Sequence, residues 1–144
     1  MRLNDVAAKA ATAAGVRAAT DVTGFGLAGH LHKLVLASGV EAHLEFDQIP
    51  LLPQTRELLG KGFVPGGTTR NLEFVDPFLE IAAPRVGETD TRLVVADPQT
   101  SGGLLLCVRP DRLDDLRAEL LANGDLASVV GELAFGTPGR ITIR

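Results

Sequence analysis

The segment from Val40 to Phe46 constrains the fold more than any other, because Val40, Ala42, Leu44 and Phe46 alternate with Glu41, His43 and Glu45. That is the period of a strand with one face on a core and one in water. Upstream, Leu27, Leu31, Leu34 and Val35 recur at helical spacing, His30, Lys33 and Ser38 point elsewhere, and Gly39 ends the helix. Downstream, Leu113, Leu116, Leu120 and Leu121 line one face of a helix that Asp111 is expected to cap and Gly124 to follow. At 144 residues the chain suits a single core, with helices and strands mixed around one sheet: an α+β or mixed α/β domain.

The rest of the chain is punctuated by glycine and proline. An Ala-rich helix is expected over 4–14 with Gly15 as its stop, then a short strand over 16–20 and a Gly-interrupted turn from Thr23 to Gly26. Pro53 is expected to start a short helix through Leu59. The stretch from Gly60 to Asn71 holds four Gly and one Pro and reads as a long loop, a length that in a compact domain often marks function. Asp97-Pro98-Gln99-Thr100-Ser101-Gly102-Gly103 forms a second polar break and leads into an apolar strand ending at Val108. Val129-Val130 and Arg140-Ile141-Thr142-Ile143 complete the strands.

Charge and composition exclude several functions. The net charge is −4, no two Lys or Arg residues adjoin, Trp and Tyr are absent, and the six Phe are scattered. Neither a phosphate backbone nor stacked bases would be favoured, so nucleic acid is not an expected partner. No apolar run approaches the ~20 residues that cross a bilayer, and Asp5 and Lys9 interrupt any leader-like segment. No membrane association or export is expected. The single Cys107, inside an apolar run, reads as a buried, reduced thiol in a cytoplasmic setting, with no role as a nucleophile.

Chemistry concentrates at Thr20-Asp21-Val22-Thr23-Gly24-Phe25-Gly26, where a carboxylate and two hydroxyls precede a Gly turn and a helix start. Exposed N–H groups there favour phosphate, glycine admits close approach, and the Asp21 oxygens suit a hard cation such as Mg²⁺. The plainer alternative is that Asp21 or Thr23 caps the helix. Gly24-Phe25-Gly26-Leu27-Ala28-Gly29 also satisfies G-x-G-x-x-G, with Glu45 or Asp47 about 20 residues on. The preceding segment, Arg17 to Asp21, is too polar for the buried parallel strand which a dinucleotide fingerprint follows. No lysine has a P-loop setting. His30 and His32 lie two apart on one helix and cannot face one metal; with His43 they read as surface or boundary residues. Asp114 and Asp115 read as a solvated helix face.

Taken together, Ala19 to Leu27, Pro65-Gly66-Gly67-Thr68 with Asn71, and Asp97 to Leu105 resemble the selenophosphate synthetase family, also called selenide, water dikinases. Three strings in the family's order, with a Leu3-Asn4 helix start, cover most of the chain. The resemblance implies the superfamily of aminoimidazole ribonucleotide synthetase and its α+β C-terminal domain, a mixed sheet flanked by helices. Residues 1–144 would then be one C-terminal-type domain, with the N-terminal ATP-binding domain absent from this chain.

The activity so implied is conversion of selenide, ATP and water into selenophosphate, AMP and orthophosphate, with Mg²⁺ on the nucleotide phosphates. The family's Cys or selenocysteine and its Lys lie in the N-terminal half, so no catalytic residue is expected here and the chain alone is expected to be inactive. Asp21 matches the family's metal-binding aspartate. Thr23, Gly24, Gly26, Gly66, Gly67, Asn71, Asp97, Gln99, Thr100, Ser101 and Gly102 are implied to contact the nucleotide or shape the interdomain cleft. Partners would be selenide, ATP and the N-terminal domain, with a homodimer in the full-length form. The alternative is a stand-alone nucleotide-binding or subunit-interaction module without catalysis.

Overall fold

The computed structural model describes residues 4–82 and 87–144. In chain order it contains α1 (Asp5–Ala13), β1 (Ala18–Asp21), α2 (Gly26–Ser38), β2 (Glu41–Leu44), α3 (Thr55–Gly60) and α4 (Gly66–Val75). There follow β3 (Leu79–Ile81), α5 (Glu88–Ala96), β4 (Leu104–Cys107), α6 (Pro110–Ala122), β5 (Gly131–Ala134) and β6 (Ile141–Ile143). The α+β class with a mixed sheet flanked by helices holds, but the strands divide between two sheets and not one. β1 and β4 form an antiparallel pair, and the other four run in the order β3-β6-β2-β5. β6 is parallel to both β2 and β3, whereas β5 is antiparallel to β2.

Register explains the alternation in β2. Ala42 and Leu44 stand beside Ile141 and Ile143, which in turn stand beside Leu79 and Ile81, so one apolar face is continuous across three strands. The row one residue out of phase is Glu80, Thr142, His43 and Glu132, and it makes the polar face. α2 lies against the apolar face with Ala28, Leu31, His32 and Val35 buried at i, i+3, i+4 and i+7. Its C-terminus closes at Gly39, whose φ of 69° is a left-handed conformation that glycine adopts at little cost. A second, smaller core joins Ala10 of α1 to Leu116 and Leu120 of α6. β4 runs between the two cores: Leu105 packs toward the first, Leu106 and Val108 toward the second.

Several expectations are corrected. The stretch read as a loop over 60–71 is helical from Gly66 onward. Pro65 stands in extended conformation just before the helix, and Val75, fully buried, anchors its far end. Docking of the buried face offsets the ~1 kcal/mol that each glycine costs in a helix. Asp111 does not cap α6; Arg109 occupies that position, Pro110 is the first helical residue, and no side chain caps the end. The Asp111 carboxylate instead accepts two bonds from the Arg109 guanidinium, at 2.9 and 2.8 Å, which hold its pKa below the usual value. Leu121 is exposed, since it lies about 100° around the helix from the buried Leu120. Val129 and Val130 precede β5; the Val130 carbonyl accepts from Glu45 N–H at 2.9 Å and its side chain packs against the main core. Cys107 is half-buried, and desolvation raises its thiol pKa.

Candidate functional site

The three strings that carry the resemblance meet in space. The first follows β1, the second opens α4, and the third connects α5 to β4. β1 and β4 extend their pairing past the strand ends: Val22 N–H donates to Gly103 O at 3.0 Å and Gly102 N–H to Val22 O at 3.1 Å. Gln99 N–H donates to Thr23 O at 3.0 Å, which brings the third string onto the first. Asn71 ties in the second, because its amide donates to both Gly24 O and Ala96 O at 2.9 Å. Thr68, buried in α4, donates its hydroxyl to Asp97 Oδ1 at 2.6 Å, and Gln99 Nε2 donates to Asp97 Oδ2 at 3.2 Å. Turn carbonyls without a helix or ladder partner thus receive side-chain and main-chain donors, as half-buried polar groups require.

Two glycines of these loops, Gly26 and Gly102, are demanded by close approach to backbone, and a third, Gly67, is tightly packed. A Cβ on Gly26, where φ is 69°, would lie 2.6 Å from the Ala96 carbonyl carbon and oxygen. One on Gly102 would meet Val22 O at 2.7 Å, and one on Gly67 would meet the Pro98 ring at 3.0 Å. Gly24 has open space around it and is exposed, as are Gly66, Thr100 and Ser101. The expected site residues therefore fall into two sets. Gly26, Gly67, Asn71, Asp97, Gln99 and Gly102 hold the loops to one another, while Asp21, Gly24, Gly66, Thr100 and Ser101 lie on open surface, with Thr23 half-buried beside them.

Asp21 ends β1 opposite Leu104. Its carboxylate is exposed, and among the described residues it accepts no hydrogen bond and joins no ion pair. The capping alternative fails at both candidates. α2 is preceded by Phe25 with no side-chain cap bond, its first residue Gly26 donates N–H to Thr23 O at 3.0 Å, and the Thr23 hydroxyl is drawn to His30 Nε2 at 3.1 Å. An uncommitted carboxylate fits a hard cation that takes oxygen ligands. Among the described residues no group of three or more His, Cys, Asp or Glu could hold a metal, so Asp21 by itself offers no more than one carboxylate. The G-x-G-x-x-G string also lacks its dinucleotide setting, since β1 is antiparallel to β4 and not a buried parallel strand.

Thr20, one of the two hydroxyls singled out in the sequence, and Thr68, quoted in the second string without a role, both belong to this rim, and so does His30, whose ring contacts Thr20 and Thr23 and which the sequence suggested only as a surface or boundary residue. Sequence reasoning also misplaced His32, which is 4% exposed, bonds Gly139 O through Nδ1 at 2.8 Å and stacks on Phe78 at 4.0 Å. The signal was present, because His32 completes the buried i, i+3, i+4, i+7 stripe of α2. His43 is a boundary residue as expected, with Nε2 3.3 Å from Glu41. A cavity of about 280 Å³ lined by residues that include Phe46, Asp47, Arg56 and Thr91 shares none of its lining residues with the rim.

With this geometry in place, the comparisons fix the class. The pattern of the family described as AIR synthase related protein, C-terminal domain, matches residues 1–143, and the chain belongs to that family. Within it, the chain is 42% identical over 144 positions to selenide, water dikinase of Photorhabdus laumondii subsp. laumondii, covering 99% of this chain and 40% of that protein. It is 43% identical over 131 residues to selenide, water dikinase of Porphyromonas gingivalis, covering 90% of this chain and 36% of the other. The Salmonella typhi protein of the same name gives 42% over 142 residues, 99% and 40%. The chain spans about two fifths of the length of these curated relatives. Among solved structures, thiamine-monophosphate kinase from Stenotrophomonas maltophilia K279a superposes with a TM-score of 0.59 at 20% identity, over 89% of this chain and 31% of that one, and shares the fold.

Proposed function

We propose that this chain is the C-terminal domain of an ATP-dependent selenophosphate synthetase, which turns selenide, ATP and water into selenophosphate, AMP and orthophosphate. The convergence of the three strings on one hydrogen-bonded rim carries the reading, and the identity to selenide, water dikinases supports it. Asp21 would supply one oxygen ligand to Mg²⁺, with further carboxylates from an N-terminal ATP-binding domain. When bound, the ion screens charge on the nucleotide phosphates, an electrostatic and positioning contribution. Thr23, Gly24, Gly66, Thr100 and Ser101 line the nucleotide side of the rim. Gly26, Gly67, Asn71, Asp97, Gln99 and Gly102 keep that surface in shape from behind.

The nucleophilic Cys or selenocysteine and the Lys belong to the other domain, so the 144-residue chain by itself turns nothing over. Cys107 does not replace them: its strand setting and raised pKa oppose thiolate formation. The full-length enzyme is proposed to be a homodimer. No described helix is long and apolar enough to cross a membrane, and a cytoplasmic setting suits the reduced thiol. The test is selenide-dependent AMP formation by this chain alone and by the longer protein that contains the N-terminal half. The proposal expects AMP only from the longer protein. AMP from this chain alone would overturn its inactivity, and none from either would leave a binding or interaction module.

A further inference from the structure

The two edges of the four-stranded sheet differ. At β3 the Leu79 carbonyl accepts from Arg92 Nη1 at 3.4 Å, so a side chain of α5 covers part of that edge. At β5 the outward groups meet nothing. Ala42 N–H donates to Arg140 O and Leu44 O accepts from Arg144 N–H, which commits those two residues of β2 to β6. Glu41, His43 and Glu45 therefore serve β5, in line with the bond from Glu45 N–H to Val130 O. By the antiparallel register, Glu132 and Ala134 answer them, and the N–H and C=O groups of Gly131 and Leu133 point away from the sheet. Among the described residues no hydrogen bond reaches those groups.

We propose that β5 is the pairing edge for a second copy of this chain, joining two four-stranded sheets into one across a two-fold axis. The proposal does not rest on the reading of the chain as part of a synthetase. Two identical strands pair antiparallel about such an axis, and bonds form only between residues whose groups point outward. With Leu133 on the axis, it exchanges both bonds with Leu133 of the second copy, and Gly131 lies opposite Phe135, one residue beyond β5. That register uses the whole strand and sets a large ring beside a residue without a side chain. An axis through Glu132 would oppose two carboxylates directly, and one through Ala134 would leave Gly131 unpaired. The side chains agree. Leu133 shares the apolar face with Ala42 yet is 42% exposed, and Phe135 is 98% exposed, so pairing takes apolar area of both out of water. β5 holds no Lys or Pro, residues that commonly guard an edge, and its single charge, Glu132, is met by Arg144 at 3.0 Å. A strand of four residues buries little, so the pairing is weak and reversible.

Sedimentation equilibrium of the 144-residue chain at rising concentration should show the mean mass climbing from one chain towards two and no further, because a two-fold edge closes on itself. Leu133→Lys, which opposes two ammonium groups on the axis, should weaken the association about tenfold or more. Phe135→Ser, at a side chain almost wholly in solvent, should weaken it severalfold without touching the fold. Under mild oxidation Leu133→Cys should form a disulfide between copies, since directly opposed residues of this kind have Cα atoms ~5.5 Å apart, and Glu132→Cys, which faces Ala134, should not. A chain that stays single at every concentration, or a dimer indifferent to both Leu133→Lys and Phe135→Ser, would overturn the proposal. Bridging through Glu132→Cys and not through Leu133→Cys would overturn it as well. So would a monomer whose Leu133 amide is protected from hydrogen exchange only in the longer protein, where another domain would then cover the strand.

Discussion

The four-stranded sheet and the three-loop rim are held together by different physics. In the sheet, Ile141, Ile143, Ala42, Leu44 and Leu79 are buried side by side, and stability comes from apolar area removed from water. In the rim, the glycines leave little apolar area to bury, and the carbonyls of Val22, Thr23, Gly24 and Ala96 are satisfied one at a time by Gly102, Gln99 and Asn71. The sheet tolerates change where volume is kept. The rim depends on individual donors and on absent Cβ atoms, so it is positioned by a few interactions and fails at each of them separately.

Substitutions can break this contrast. The largest effect is expected for Ile141→Ala, which empties the centre of the sheet and should cost about 2–5 kcal/mol in urea unfolding. The activity of the intact enzyme, per folded molecule, should stay near the parent's. Next comes Asn71→Ala, which removes a bond to the exposed Gly24 carbonyl and leaves the part-buried Ala96 carbonyl without its side-chain donor, for a loss of about 1–3 kcal/mol. It should also lower turnover per folded molecule, because the rim loses the tie between α4 and the Gly24 turn. If Asn71→Ala cost stability alone, the rim would be scaffold and the contrast would collapse.

The smallest effect concerns Cys107, where β4 passes between the two cores. Its raised pKa means the unfolded chain releases the thiol proton first. Stability should therefore fall slightly as pH rises above the unfolded thiol's pKa, until the folded thiol itself ionises. Alkylation by iodoacetamide should be several-fold slower in the folded chain than for free cysteine at the same pH. Equal rates would mean that this strand is open to solvent.

The same contrast explains what could be read in the sequence. Periodic burial announces itself, so β2, α2 and most of α6 were legible in the spacing of Ala42, Leu44, Leu31, Val35 and Leu116. Interactions between distant segments leave no period. Nothing local to Gly66 and Gly67 signals a helix, because what stabilises α4 there is Thr68 reaching Asp97 and Asn71 reaching Ala96, each more than twenty residues away. The stretch from Leu72 to Ala96 carried no assignment, although Val75, Leu79 and Val95 are core residues, since its short elements do not sustain one pattern. The site residues were legible as strings resembling a family. Their separation into those that hold the loops and those that lie open required the hydrogen bonds.

The central claim, that the rim presents Asp21 to a metal-dependent phosphoryl-transfer site, is tested most directly by selenide-dependent AMP formation in the intact enzyme carrying Asp21→Asn. Asn keeps the side chain's size and removes its charge. The account predicts loss of turnover at saturating Mg²⁺ with an unchanged unfolding midpoint, because among the described residues the carboxylate makes no hydrogen bond or ion pair. Parental turnover in that variant would contradict it.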